Sequence, residues 1–324
     1  MNSYFNPMLK TKNSGRSLVE LLIAIGIGII ILLAITTLFF TNSQASRATD
    51  EKARLESEGR LALSLISFHL RMGGYGELTD ADVNPESGQT KTSFFDPNIP
   101  IIPGNLGPEP PKSIEGCTGS FSDPVALTVS CAGNTQPDSV VIRYFVDTFN
   151  SNASGGAPTD CLGQAVAANL GMNTIVENRF FVRTNPTTLK SELYCVGNGG
   201  NPVANLNSPQ PISENIIDMK VRYSIGLNGL QSATTSPIDA TAVAATVIPL
   251  PLPPTPPPAV PVDPWSRVVS VNVCLVAQSA NDGVATSPQQ YRNCAGQLIT
   301  PTNKRLYATF STVITLRSRA SGSI

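Results

Sequence analysis

Twenty consecutive residues, Leu21 to Phe40, carry no Asp, Glu, Lys or Arg, and that run constrains the chain more than any other stretch. At about 1.5 Å of rise per helical residue it crosses a hydrocarbon core of roughly 30 Å, so the sequence predicts a membrane-spanning helix. Lys10, Lys12 and Arg16 precede it, and the first charge after Glu20 is Arg47. The positive-inside rule then leaves the amino terminus in the cytoplasm and the bulk of the chain on the far side. Glu20 stands at the edge of the run, where a carboxylate is costly and normally persists because a partner neutralises it.

Beyond the run, residues 42 to 72 contain no proline. Ala45, Ala48, Ala53, Leu55, Ala62, Leu65, Ile66, Phe68 and Leu70 recur among charged residues there, the pattern of an amphipathic extension of the same helix. Gly73-Gly74-Tyr75-Gly76 permits the left-handed turn that closes it. The helix predicted from Leu18 is therefore unusually long, half apolar all round and half amphipathic.

The remainder reads as strands. Asp138 to Phe145 alternates Val140, Ile142 and Tyr144 against Val141, Arg143 and Phe145, and Ile216 to Tyr223 alternates Ile217, Met219, Val221 and Tyr223 against Asp218, Lys220 and Arg222. The second is the pattern of a half-buried strand. Arg179 to Arg183 and Glu192 to Val196 read as a hairpin joined through Asn185-Pro186. Val269, Val271, Val273 and Leu275 form one apolar face near the end, and Leu306, Ala308, Phe310, Ile314 and Leu316 form the last. The simplest architecture is α+β: an antiparallel sheet whose apolar side packs on the amphipathic helix. Residues 76 to 138 show little periodicity, and 249 to 264 form a proline-rich loop that favours an extended conformation over sheet ladders.

Composition narrows the chemistry. Of 324 residues only 14% are charged and the formal net charge is −1, which gives no basic balance for nucleic acid. Six cysteines, Cys117, Cys131, Cys161, Cys195, Cys274 and Cys294, all follow the apolar run, as expected for disulfides in an oxidising compartment. Several connectivities are open; pairing of sequence neighbours (117 with 131, 161 with 195, 274 with 294) is preferred because each bridge would staple a loop between adjacent strands. Zinc is disfavoured because no Cys-x-x-Cys occurs. The single histidine, His69, lacks a second ligand and reads as a packing or surface residue. Asp80, Asp82 and Asn84 alternate as oxygen ligands do, but without the glycine and distal Glu of a calcium loop. The Gly197 to Gly200 cluster has no helix after it and reads as a turn. No Gly-x-Ser-x-Gly elbow is present, so no enzyme, metal site or cofactor is expected.

The segment Gly15-Arg-Ser-Leu-Val-Glu20 followed by Leu21 to Phe40 resembles the class III signal of type IV prepilins: a basic leader, a Gly before the scissile bond, a Glu five residues beyond it and a retained helix. Arg16 stands where that family usually has Phe or Met. In the head, the strand at Asp138 to Phe145 leading to Asp160-Cys161-Leu162-Gly163, Leu193-Tyr-Cys195, Ile212 to Tyr223, Trp265-Ser-Arg-Val-Val-Ser-Val and Arg305-Leu-Tyr-Ala-Thr-Phe resemble the PilW-type minor pilins. The resemblance implies a pilin-like fold with residues 1–15 as a leader removed by the prepilin peptidase. Cleavage after Gly15 and methylation at Arg16 would follow. Residues 16–72 would be the stem helix, with 18–40 in the membrane, and 73–324 a β-rich head.

It further implies that Glu20 sets subunit register by pairing with the terminal amine of an adjacent pilin. The expected partners are the inner membrane, the prepilin peptidase, other minor pilins, the major pilin and a tip adhesin, with no direct nucleic acid binding. The chain would wait in the inner membrane with its head in the periplasm and then join the pilus at the cell surface. There it would prime assembly at or near the tip and support twitching motility, adhesion or DNA uptake. The alternatives are a large minor pseudopilin of type II secretion and a membrane-anchored adhesin.

Overall fold

A computed structural model describes residues 17–75, 112–146, 159–166, 174–200, 206–226, 236–247 and 263–316. The chain separates into two compact units, Met1–Asp50 and Glu51–Ile324.

In the first unit the described residues form the opening of helix α1, which runs over Leu18–Met72. Ser17 begins it in the manner of a cap, its Oγ accepting from the Val19 N–H at 3.4 Å. The hydroxyls of Thr36, Thr37 and Thr41 donate to main-chain carbonyls three or four residues earlier at 2.9 Å. Each polar group is thereby satisfied within its own helix, which is what a lipid environment demands.

In the second unit, α1 closes as its glycines predict. The Gly73 N–H donates to the Leu70 carbonyl, the Tyr75 N–H donates to that of Met72, and Gly74 takes a positive φ of 74°, a conformation that carries no Cβ penalty in glycine. Five strands form an antiparallel meander: β1 (Ile114–Cys117), β2 (Ser139–Val146), β3 (Thr174–Thr184), β4 (Ser191–Gly197) and β5 (Gln210–Glu214), in spatial order β1-β2-β3-β4-β5. A second sheet takes β6 (Ile216–Ile225), β7 (Val268–Gln278) and β10 (Tyr307–Thr315) in the order β10-β7-β6. The short helix α2 (Ala240–Ala245), a 3₁₀ turn at Pro264–Arg267, and a small hairpin of β8 (Tyr291–Arg292) and β9 (Leu298–Ile299) complete the described elements.

Two sheets therefore replace the single sheet expected from sequence, and Asn215 is the reason. It alone separates β5 from β6, with φ of 59°. The left-handed region is one that Asn enters more readily than most residues. That one residue turns the chain out of the first sheet, so that β6 pairs with β7 instead of β5. The Asn215 carbonyl accepts from the Gln278 N–H at 2.9 Å, tying the switch point to the second sheet.

One contiguous core joins both sheets to α1. Leu55, Ala62, Ile66 and Leu70 of the helix pack with Val140, Ile142 and Tyr144 of β2, Phe180 and Val182 of β3, Met219, Val221 and Tyr223 of β6, and Val271, Val273 and Leu275 of β7. The opposite face of the meander is apolar as well. Val141, Phe181, Tyr194 and Val196 lie beneath Phe121 and the Cys117–Cys131 loop.

Candidate functional site

Two regions carry the chemistry singled out by the sequence: the amino-terminal span with Glu20, and the seat of α1 on the head. Gly15 and Arg16 lie outside the described residues, as do Asp80, Asp82, Asn84 and all but the end of the proline-rich loop. Glu20 is exposed in the first turn of α1, where a carboxylate also meets the positive end of the helix dipole. Leu21, Ala24 and Ile25 line the surface beside it. The helix is long and apolar enough to cross a membrane, and none of its apolar window is buried within the chain. The hydrophobic effect leaves such a surface for lipid or for other chains to cover.

The seat of α1 is built differently. At Gly59 an added Cβ would overlap the Phe310 ring of β10, so only glycine allows the helix to approach that strand. Glu51 accepts from the Ala280 N–H at 3.2 Å and from Asn281 Nδ2 at 2.6 Å, and the Ser213 hydroxyl donates to Glu58 at 3.1 Å. Arg54 reaches Glu214 at 3.6 Å, an exposed pair of small worth. At the far end His69, one of the two readings allowed by sequence, proves to be a packing residue only 6% exposed. Its Nδ1 lies 2.9 Å from Tyr144 Oη and 3.1 Å from Asn178 Nδ2. Burial lowers its pKa to about 4, because the interior disfavours the imidazolium.

A buried ionic chain crosses β1, β2 and β3. Arg143 donates through Nε to Glu177 at 2.7 Å and through Nη1 to Glu115 at 3.2 Å. Arg179, fully buried, donates to the other oxygen of Glu177 at 2.7 Å and to the Pro124 carbonyl at 3.1 Å. Burial works against charge in these groups, yet Arg143 and Arg179 together hold the Glu177 carboxyl below its ordinary range. Glu177 and Glu115 likewise raise Arg143. Sequence reading left Arg143 as one member of an alternating strand. The missed signal is the Glu177-x-Arg179 spacing, which puts opposite charges on one face of β3 beside Arg143.

All six cysteines are paired, Cys117–Cys131, Cys161–Cys195 and Cys274–Cys294. Each bridge ties a loop to a strand, Cys117 lying on β1, Cys195 on β4 and Cys274 on β7. Among the described residues no group of acidic, Cys and His side chains is arranged to hold a metal ion. The Gly197 to Gly200 cluster is the turn expected of it. A Cβ at Gly197 would overlap the Asp160 carboxylate, and the Gly199 N–H donates to that carboxylate at 2.9 Å.

A long amino-terminal helix with an apolar span, continued by a segment docked on antiparallel sheets braced by disulfides, is the pilin-like fold expected from the sequence. Residues 179–318, from the middle of β3 through β10, match the family model described as Type IV Pilus-assembly protein W. Among solved structures the chain is similar to a type IV-like pilin, TTHA1219 from Thermus thermophilus, at 12% identity over 58% of this chain and 81% of that one. Its TM-score of 0.30 makes that a slight likeness. No curated protein matches the sequence.

Proposed function

We propose that this chain is a minor pilin that primes assembly of type IV pili within a minor-pilin complex at or near the pilus tip. The observation that carries the reading is the agreement of two non-overlapping signals. Gly15 to Phe40 has the prepilin pattern, and the PilW match begins only at residue 179. The prepilin peptidase cuts after Gly15, residues 16–72 form the stem and 73–324 the head. The chain waits in the inner membrane with its head in the periplasm, then enters the filament beside other minor pilins and the major pilin. Glu20 provides the assembly contact. Cleavage creates a free α-amino group, and its pairing with Glu20 of a neighbouring subunit relieves the cost of a carboxylate at the bilayer edge. Motility, adhesion or DNA uptake follow from the pilus and not from chemistry in this head.

The test is a deletion strain scored by electron microscopy for surface pili and complemented with wild type, Gly15→Ala and Glu20→Ala. Loss of pili in the deletion, restored by wild type and by neither variant, is expected. Intact pili with lost exoprotein secretion would reassign the chain to a type II secretion pseudopilin. Intact pili and secretion with lost surface binding would favour an anchored adhesin.

A further inference from the structure

We propose that the Cys161–Cys195 bridge latches α1 to the head: it fixes the turn whose Cys161 N–H orients Asn178, and Asn178 holds His69 in the last turns of the helix.

The chain of contacts runs across three elements. Cys195 lies on β4, and its bridge anchors Cys161 in the turn after Thr159. The Cys161 N–H donates to Asn178 Oδ1 on β3 at 2.8 Å. That bond settles which end of the Asn178 amide is which, since only the oxygen can accept. Nδ2 therefore faces His69 Nδ1 at 3.1 Å and Tyr144 Oη at 3.3 Å as a donor. His69 Nδ1 must then accept and carry no proton, which leaves the neutral ring protonated at Nε2. The groups around the imidazole are Phe68 on its own helix, Tyr144 on β2, and Asn178 and Phe180 on β3. Burial raises the Tyr144 hydroxyl above its ordinary range, and the Asp160 carboxylate adds to that shift. No charged side chain bonds to His69 among the described residues, so the latch depends on the neutral amide being aimed correctly.

The same turn has a second tether. Asp160 accepts from the N–H groups of Leu162, Gln164 and Gly199 at 2.9 to 3.0 Å. If that carboxylate alone positions the turn, the bridge is dispensable for the latch, and this is the alternative to be separated. Closure of the bridge turns two thiols into one disulfide and releases two protons and two electrons. The electrons pass to a disulfide-bearing oxidant, which leaves as a dithiol. The latch predicts that docking of the helix end tightens at that step, whether or not the chain enters a pilus.

The chain contains one histidine, so its imidazole C–H signal can be titrated by NMR in the full chain in detergent micelles without overlap. Oxidised wild type should titrate near 4. The double variant Cys161→Ser/Cys195→Ser should titrate closer to the free value of 6.5, and Cys274→Ser/Cys294→Ser should not differ from wild type. Asn178→Ala, with the bridge intact, should raise the midpoint as well. Because coupling is reciprocal, Asn178→Ala should also increase the fraction of Cys161–Cys195 reduced at a fixed dithiothreitol concentration several-fold, with Cys274–Cys294 unchanged. An unshifted midpoint in folded Cys161→Ser/Cys195→Ser overturns the latch in favour of Asp160. Should that variant not fold, Asn178→Ala decides alone: no change in midpoint or in bridge reducibility overturns the proposal.

Discussion

The two halves of α1 use glycine in opposite ways. At Gly26 and Gly28, in the apolar span, an added Cβ would meet nothing within 4 Å, whereas at Gly59 it would overlap the Phe310 ring. The span presents apolar side chains outward with none of its window buried. The later half buries Leu55, Ala62, Ile66 and Leu70 completely or nearly so against the head. One helix therefore carries an exposed apolar surface long enough to cross a membrane and a surface fitted to its own sheets. The requirements on sequence differ accordingly. The span needs only apolar residues and satisfied hydroxyls, while the docked half needs particular residues at particular places.

The largest expected effect breaks the comparison from the side of the span. Glu20→Ala should abolish incorporation into pili while leaving the thermal midpoint of the purified full chain unchanged, because Glu20 is exposed and the buried core lies wholly within Glu51–Ile324. A fall in midpoint would show that Glu20 also serves the fold.

Next comes pH. Unfolded His69 titrates near 6.5 and folded His69 near 4, so between those values the unfolded chain binds more protons. Stability is complete above 6.5, falls as pH drops through the window, and levels off below 4. The shift corresponds to about 3 kcal/mol. Denaturant unfolding at pH 7 and pH 4 should show this loss in wild type, and a correspondingly smaller one in His69→Gln. Equal losses in both would remove His69 from the docking account.

Gly59→Ala should destabilise the full chain by about 2 kcal/mol, since overpacking against Phe310 outweighs the gain of about 1 kcal/mol in helix propensity. Phe310→Ala in the same chain should relieve most of the overpacking, which a double-mutant cycle would detect. Gly28→Ala gives the smallest effect and the opposite sign. It should stabilise the span by about 1 kcal/mol, read as slower amide exchange around residue 28 in micelles. If both glycine variants destabilise alike, the contrast between the two halves fails.

Much of this was legible in the sequence because it depends on local pattern. An absence of proline from Leu18 to Met72 and the glycines at 73 and 74 delimit α1, and strict alternation locates β2, β6 and most of β7. The hairpin of β3 and β4 is marked by Asn185, whose side chain accepts from the N–H groups of Thr187 and Thr188. By contrast β1, β5 and α2 are too short to show a period, and the β8-β9 hairpin is shorter still. Arg143 and Arg179 would be expected in water from their type, yet both are buried because Glu177 lies between them on the adjoining strands. That compensation is a fact of pairing register, with Arg143 opposite Glu177 and Val141 opposite Arg179.

By itself, the sequence determined a membrane-length apolar run, a long helix with a closing glycine pair, a β-rich head and cysteines on one side of the span. These follow from hydropathy, periodicity and backbone propensity, which act within a few residues. Only the tertiary structure decided that Asn215 divides the strands into two sheets, that Gly59 admits Phe310, and that Asn178 joins a disulfide-held turn to His69. Those depend on which distant residues meet, and side-chain chemistry read along the chain does not contain that pairing.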